Sequence, residues 1–287
     1  MNIAILSTYS GREERGVENW ASEIQSRITT HQIQIISGNY IFKIRKWINA
    51  DIIIPTNGRL QILFATTVAN IFRKKLIVFG HSGPGADDKW NLLCSPDVFV
   101  AFSDQQKKWA QKNNFWNTRI IKINHAVDTN KFKPAKNKPK NKVLCVAANV
   151  PYKRVDLVKK AVKKLKKIEL IVYGSGQKNQ ASYEQMPKVY KDASVFCFVP
   201  ESWEAFGLVY LEALATNLPV VTIDDLVRRE IVGDAGILVS DPEDIDKLSK
   251  AIQKALDTNW ENKPRTQAEK FSWENILPSY TKLFSNV

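Results

Sequence analysis

Two carboxylates, Glu204 and Glu212, lie eight positions apart in the segment Ser202-Trp203-Glu204-Ala205-Phe206-Gly207-Leu208-Val209-Tyr210-Leu211-Glu212-Ala213-Leu214-Ala215. A carboxylate accepts hydrogen bonds from sugar hydroxyls, and two of them can hold two sugar rings at once. Eight residues of one helix turn through about 800°, roughly 80° net, so this pair does not share a helical face. Separate roles follow, with Glu204 in a loop and Glu212 on the helix after it. Backbone amides near Phe206, Gly207 and Leu208 then stand at a helix N-terminus. Their N–H groups and the positive end of the helix dipole suit a diphosphate there. Gly207 leaves room for a ligand to approach the main chain. The plainer reading makes Glu212 a solvated helix residue and Glu204 an acid favoured at a helix start.

Such a loop has to be positioned. Apolar runs at 195–200 and 218–223 flank it, which reads as strand, loop, helix, turn, strand. The loop then sits at the carboxyl end of a parallel strand, where open α/β sheets bind ligands. Short apolar runs of this kind recur along the chain with helical patterns between them. One series reads as strands over 2–6, 32–36, 51–54, 76–79, 98–101 and 119–123. A second covers 142–147, 168–173, 195–199, 219–223 and 236–239. Alternation of strand and helix predicts βαβ units and parallel sheets. Between the series lies Lys133-Pro134-Ala135-Lys136-Asn137-Lys138-Pro139-Lys140-Asn141, polar and proline-bearing like a domain linker. The predicted fold class is α/β, two doubly wound Rossmann-like domains facing across a cleft. The expected division is 1–134, a linker at 135–141, a second domain at 142–270 and a terminal helix at 271–287. Ser272 is the cap candidate of that helix.

Composition narrows the classes. The 287 residues, 44% of them hydrophobic and eight of them tryptophan, suffice for two modest cores. No apolar run reaches the roughly 20 residues that span a bilayer, and the N-terminus reads as a first strand, not a secretory signal. Cys94, Cys145 and Cys197 are widely spaced, which argues against a disulfide framework and fits a cytoplasmic protein. A net charge of +13, from 42 basic and 29 acidic residues, attracts polyanions. Charge alone is the argument for nucleic acid, and no nucleic-acid motif accompanies it, so no such partner is expected. The run Lys159-Lys160-Ala161-Val162-Lys163-Lys164-Leu165-Lys166-Lys167 is either the solvated face of a helix buried through Val158, Val162 and Leu165, or a face turned to an anionic membrane.

The 202–215 segment resembles the Glu-x7-Glu signature of the family 4, or group 1, retaining glycosyltransferases. Further matches occur in the family's order. Arg15-Gly16-Val17-Glu18 resembles its Gly-Gly-x-Glu segment, and His81-Ser82-Gly83-Pro84-Gly85 its histidine-led loop. Asn124-His125-Ala126-Val127-Asp128 with Phe132-Lys133-Pro134 resembles the block that ends the first domain, and Val150-Pro151-Tyr152-Lys153-Arg154-Val155-Asp156 the lysine segment that opens the second. The resemblance implies a GT-B fold whose terminal helix crosses back to the first domain. It implies metal-independent transfer of a sugar from a nucleotide-sugar, UDP- or GDP-linked, with retained anomeric configuration and no cofactor. The acceptor would be a polysaccharide, a glycolipid or a lipid-linked precursor of the cell envelope, met in the cytoplasm or at the inner face of the membrane. Glu204 would touch the donor sugar, Lys153 the diphosphate, Glu212 the ribose, and His81 would lie near the transferred sugar. Gly16, Gly174, Gly176, Arg154 and the Phe206–Leu208 amides complete the expected donor site. Ala148 stands where the family often has an arginine, His125 and Asn217 where it has glycines. A non-catalytic nucleotide-sugar binder and an epimerase of the same fold are the alternatives.

Two other motifs invite chemistry. Tyr173-Gly174-Ser175-Gly176 after a strand fits either a phosphate-facing loop or a turn. Asp244-Ile245-Asp246 matches a metal-diphosphate pattern, but it follows Pro242 where a helix starts and reads as structural. His31, His81 and His125 show no metal-ligand spacing.

Overall fold

The computed structural model describes residues 1–12, 16–137 and 139–287. Arg15 of the Arg15–Glu18 segment and Lys138 of the expected linker lie outside them. The chain divides into two compact units, one holding residues 1–124 and 276–287 and the other residues 125–275.

In unit 1 the elements run β1 (Asn2–Leu6), α1 (Gly16–Arg27), β2 (Gln32–Ile36), β3 (Ile52–Pro55), α2 (Arg59–Ile71), β4 (Lys75–Phe79), α3 (Ala86–Leu93), β5 (Val98–Ala101), α4 (Asp104–Lys112) and β6 (Arg119–Lys122). The strands form one parallel sheet in the order β2-β1-β3-β4-β5-β6. β3 and β5 are buried along their whole length, and a strand covered on both faces needs an uninterrupted apolar run. α1 turns Trp20, Ala21 and Ile24 inward. The end of the chain is part of this unit. Trp20 Nε1 donates to Tyr280 Oη at 3.1 Å, and the Tyr280 ring stacks on Phe79 with centroids 5.9 Å apart.

Unit 2 runs β7 (Lys142–Val146), α5 (Val155–Lys163), β8 (Glu169–Tyr173), α6 (Met186–Lys191), β9 (Val195–Cys197), α7 (Leu208–Ala215), β10 (Val220–Ile223), α8 (Leu226–Val232), β11 (Gly236–Val239), α9 (Ile245–Asp257) and α10 (Lys263–Glu269). The final helix, α11 (Trp273–Ser285), starts here, with Ser272 Oγ accepting from Asn275 N at 3.3 Å. The sheet is again parallel, in the order β11-β10-β9-β7-β8. From β7 the chain first goes outward to β8, then returns past β7 to β9. That reversal is a topological switch point, and the crevice it opens lies beyond the carboxyl ends of β7 and β9.

The unit boundary falls between Asn124 and His125, not in the 135–141 stretch expected from composition. Residues 125–134 are anchored inside unit 2. Phe132 is fully buried, its ring 5.8 Å from Tyr190. Arg265 Nη1 donates to the carbonyls of Thr129, Phe132 and Ala215 at 3.0, 2.9 and 2.8 Å. Val127 and Phe271 pair through their main chains at 2.9 Å. Linker-like polarity marks where the chain is exposed; it does not reveal which core a buried phenylalanine upstream belongs to.

Candidate functional site

The loops that follow β7 and β9 are joined side by side at the switch point. Glu201 N donates to Tyr152 O at 2.9 Å, and the Tyr152 and Trp203 rings lie 4.4 Å apart. Lys153 ends a single 3-10 turn at Pro151–Lys153. Its Nζ meets Glu204 Oε2 at 2.5 Å, with both side chains mostly buried. The ammonium also lies 4.9 Å from the Tyr152 ring centre and 5.5 Å from that of Phe198, so aromatic faces add to its stabilisation. Lys153 and Glu204 are therefore brought together, one from each side of the switch point. Arg154, expected on the diphosphate, is committed elsewhere. Its guanidinium contacts Glu201 at 3.0 Å and Glu243 at 3.7 Å, and so braces the loop that carries Glu204.

α7 begins directly after that loop. Gly207 has φ +86°, and a Cβ there would lie 2.6 Å from the Tyr210 ring. Tyr210 is pinned beneath it by donating to Phe198 O at 3.2 Å and accepting from Thr222 Oγ1 at 2.9 Å. This packing of the first helical turn, rather than ligand approach alone, requires glycine at the position. Leu208 is the first helical residue. The Phe206 side chain is buried against His125, 5.1 Å away, and Phe271, 6.4 Å away, so Phe206 can meet a ligand only through its main chain. His125, at a position where the resemblance implies a glycine, thus packs its ring edge-on against Phe206. Asn217, the other replaced glycine, keeps the left-handed conformation at φ 62° and puts its amide to use. It donates to Glu261 O at 2.7 Å and accepts from Arg265 N at 3.1 Å, which satisfies an amide in the first turn of α10.

Glu212 lies on α7 and accepts from Tyr190 Oη at 2.7 Å. Burial pushes its carboxyl up to about 7, against the opposing pull of the Tyr190 hydroxyl and the Lys131 charge. Glu212 is therefore not a solvated helix residue. Gly174 and Gly176 lie after β8. A Cβ on Gly174 would meet Ala147 O at 2.2 Å, and Asn149 N donates to Ser175 O at 2.8 Å, so this loop is closed against the end of β7. The turn reading accounts for both glycines, and the loop they shape lies beside the switch point. Asp244 accepts from the amides of Asp246 and Lys247, each at 3.0 Å, as the cap of α9.

Sequence reasoning missed Arg228. It lies on α8, fully buried, and donates to Glu204 O at 2.8 Å and Ser202 O at 3.4 Å while pairing with Asp225 at 2.6 Å. Beside the exposed Arg229 nothing in the sequence marks it. Tyr190 was missed as well, since its partner is 22 positions away.

In unit 1, His81 follows β4 and packs among Trp20, Phe102 and Phe79 at 4.8, 5.0 and 6.1 Å. Burial pulls its imidazole down to about 3, so the ring is neutral at physiological pH. A network beneath holds its loop. Gln106 Nε2 donates to Gly80 O at 2.6 Å and to Asp88 Oδ2 at 2.7 Å, and the Ser82 amide donates to Asp88 as well. A cavity of about 90 Å³ lined by Thr56, Asn57, Arg59, His81, Ser82 and Asp87 adjoins it. Gly16 opens α1 and is exposed.

The fold is an α/β one of the GT-B type, with the Lys153–Glu204 pair at the switch point of its second sheet. Residues 178–271 match the family model described as Glycosyl transferases group 1. It is 41% identical over 97 residues to O-antigen chain mannosyltransferase B of Escherichia coli, covering 32% of this chain and 25% of that one. It is 28% identical over 182 residues to the MMP alpha-(1->4)-mannosyltransferase of Mycolicibacterium hassiacum, covering 52% and 44%. The chain thus spans less than half the length of these curated relatives. Among solved structures, HepE of Anabaena in complex with UDP-glucose superposes with a TM-score of 0.82 over all of both chains, at 14% identity. That likeness is one of fold.

Proposed function

We propose that this chain is a retaining, metal-independent glycosyltransferase that moves a hexose from a UDP- or GDP-sugar to a hydroxyl on a saccharide or lipid-linked acceptor of the cell envelope. The observation that carries the reading is the Lys153–Glu204 pair across the β7/β9 switch point, next to the N-terminus of α7. The E. coli relative, named for mannosyl transfer, and the UDP-glucose complex of HepE support the class of reaction and of donor.

In this reading the bond between the anomeric carbon and the diphosphate oxygen breaks, and negative charge gathers on the leaving phosphate. Lys153 and the amides that open α7 stabilise that charge, a preorganised electrostatic effect. Glu204 orients the sugar through its hydroxyls, and Glu212 accepts from the ribose. The acceptor oxygen bonds to the anomeric carbon on the face the phosphate leaves. Its proton passes to a phosphate oxygen, so no side-chain base is needed. The neutral imidazole of His81 acts as a hydrogen-bonding group, not a proton acceptor. Unit 1 is assigned the acceptor.

The test is a panel of UDP- and GDP-sugars read by thermal shift, followed by nucleoside diphosphate release with hydroxyl acceptors. A donor at 100 times its dissociation constant stabilises by about 2.7 kcal/mol, a shift of several degrees for domains of this size. Nuclear magnetic resonance of the product's anomeric proton reads the stereochemistry. A second reading, a binder without transfer, draws on Ala148 at the family's arginine position and on the diversion of Arg154 to Glu201. It predicts the thermal shift and no release with any acceptor. A panel without any shift overturns both.

A further inference from the structure

We infer that a groove at the outer edge of unit 2, between β8, α6 and residues 135–139, binds an acidic saccharide chain away from the switch point. The sheet ends at β8, and residues 170–173 of that strand are only half-buried. Ile171 and Tyr173, two positions apart, share one face of it. The six-residue α6 brings Lys188 and Val189 to that face, and Ala135, Asn137 and Pro139 add a further wall. The cavity so formed is about 930 Å³, within the range of roughly 300–1,000 Å³ of ligand sites. Its walls are fixed at both ends. Ser194 Oγ donates to Pro139 O at 2.8 Å and accepts from Lys142 N at 3.1 Å. Asn179 Nδ2 donates to Val172 O at 3.1 Å, and Asn179 O accepts from Gly174 N at 3.1 Å.

The lining sets the class of ligand. Ile171, Val189 and the Tyr173 ring give an apolar floor with a polar edge, which matches the C–H face and hydroxyl rim of a pyranose. Asn137, Gln180 and Gln185 supply carboxamides, which donate to and accept from hydroxyls. The Gln185 oxygen already accepts from Ser182 N at 3.0 Å, so this side chain offers its NH₂. Charge then selects among saccharides. Asp192 is held by Lys142 at 3.0 Å, whereas Lys188 and Lys191 have no acidic partner among the described residues. Lys136 and Lys140 are exposed on the wall segment itself. Uncompensated ammonium groups beside carboxamides fit a chain that carries carboxylates as well as hydroxyls. Other occupants fit less well. A peptide strand would need the free edge of β8, and Asn179 already occupies the carbonyl of Val172 and the amide of Gly174 there. A bilayer takes an apolar face that protrudes into it, and this surface is concave. None of the lining residues belongs to the Lys153–Glu204 constellation, so the groove stands or falls separately from the transfer reaction.

The experiment is calorimetric titration of the full chain, without nucleotide-sugar, with tetragalacturonate and with maltotetraose at low and high salt. Tetragalacturonate is expected to bind at one site, about tenfold or more tighter than the neutral maltotetraose, and the difference should shrink in high salt. Lys188→Ala with Lys191→Ala should weaken tetragalacturonate about tenfold. Ala181→Trp should block it by filling the groove without a change of charge. An unchanged melting temperature certifies the fold of each variant, and Lys188→Gln, a single change at an exposed side chain, serves where a larger change unfolds the protein. The inference is overturned if tetragalacturonate does not bind, if maltotetraose binds as tightly, or if the folded lysine variants bind as wild type does. Duplex DNA or phosphatidylglycerol vesicles that bind through the same two lysines more tightly than tetragalacturonate would overturn it as well, by assigning the groove to another polyanion. The nucleotide-sugar panel reads the other site, so the two readings fail independently.

Discussion

The buried guanidinium of Arg228 donates to the main-chain carbonyl of Glu204 at 2.8 Å. One side chain from α8 thereby sets the position of the loop whose carboxylate faces Lys153, while its charge is balanced by Asp225. Arg228→Met leaves that partly buried carboxylate and two carbonyls without their donor. It should destabilise unit 2 by about 3 kcal/mol, read by urea unfolding. Arg228→Lys keeps the charge but loses the two-pronged fork, so it should fold better and still transfer slowly because Glu204 shifts. A normal kcat in the lysine variant would rule Arg228 out as a positioning residue.

Lys153 and Glu204 should separate by ligand. Glu204→Gln is expected to lower kcat by about 10²-fold, since misplacing a reacting group by an ångström has that effect. Folding should survive at a cost of about 3 kcal/mol, because glutamine keeps the side chain's shape and an oxygen that accepts from Lys153 although the charge of this mostly buried pair is lost. Lys153→Ala should weaken a nucleoside diphosphate far more than the nucleoside, as measured by calorimetric titration. Equal losses for both ligands would remove the phosphate role.

In the proposed donor site, Glu212 should make donor binding pH-dependent. Its folded carboxyl titrates at about 7 rather than 4.5, so it is largely protonated below neutrality. Ribose hydroxyls donate to the ionised form, and donor affinity should therefore rise as pH passes upward through about 7. Tyr190→Phe removes a hydrogen bond that favours the carboxylate and should move this rise to higher pH. The stability of the free protein has the opposite sign. Between pH 4.5 and 7 the folded state holds more protons than the unfolded one, so stability falls as pH rises through this window. Glu212→Gln should raise the free energy of unfolding at pH 8, by an amount on the order of 1–3 kcal/mol, and leave it unchanged near pH 4. Asp88, also raised to about 7 by burial, adds a parallel trend, so the readout is the difference between mutant and wild type.

His81 has the reverse linkage. Its folded pKa of about 3 lies below the usual 6.5, so between those values the unfolded state binds the extra proton. Stability then falls as pH drops from 6.5 toward 3. His81→Phe suits the nest of Trp20, Phe79 and Phe102 and should flatten this acid limb in thermal melts from pH 3 to 7. A rate loss in that variant that does not vary with pH would fit a neutral hydrogen-bonding ring. A rate loss that titrates would argue for proton transfer.

Parallel strands covered on both faces announce themselves, because only unbroken apolar runs can occupy them. Residues 2–6, 32–36, 98–101 and 236–239 match observed strands end to end. The β9 strand was read two residues too long, since Phe198 and Val199 stay buried after leaving the ladder. Glu204 in a loop and Glu212 on a helix followed from the flanking apolar runs together with helical rotation, which keeps the two off one helical face. The partners of both were hidden. Arg228 and Arg229 are neighbours of the same type, and only tertiary burial separates the internal clamp from the surface ion pair with Asp224. Arg154 looked available because its acidic partners, Glu201 and Glu243, come from distant parts of the chain.

All three thiols, Cys94, Cys145 and Cys197, are enclosed, and burial pushes Cys145 up to about 12. Thiolate, the species that reacts with alkylating reagents, is thus suppressed at every native cysteine. A cysteine introduced on the surface, at Phe42 for instance, should react far faster than these three without their removal. Spin labels or fluorophores can then report on the chain in its otherwise natural sequence.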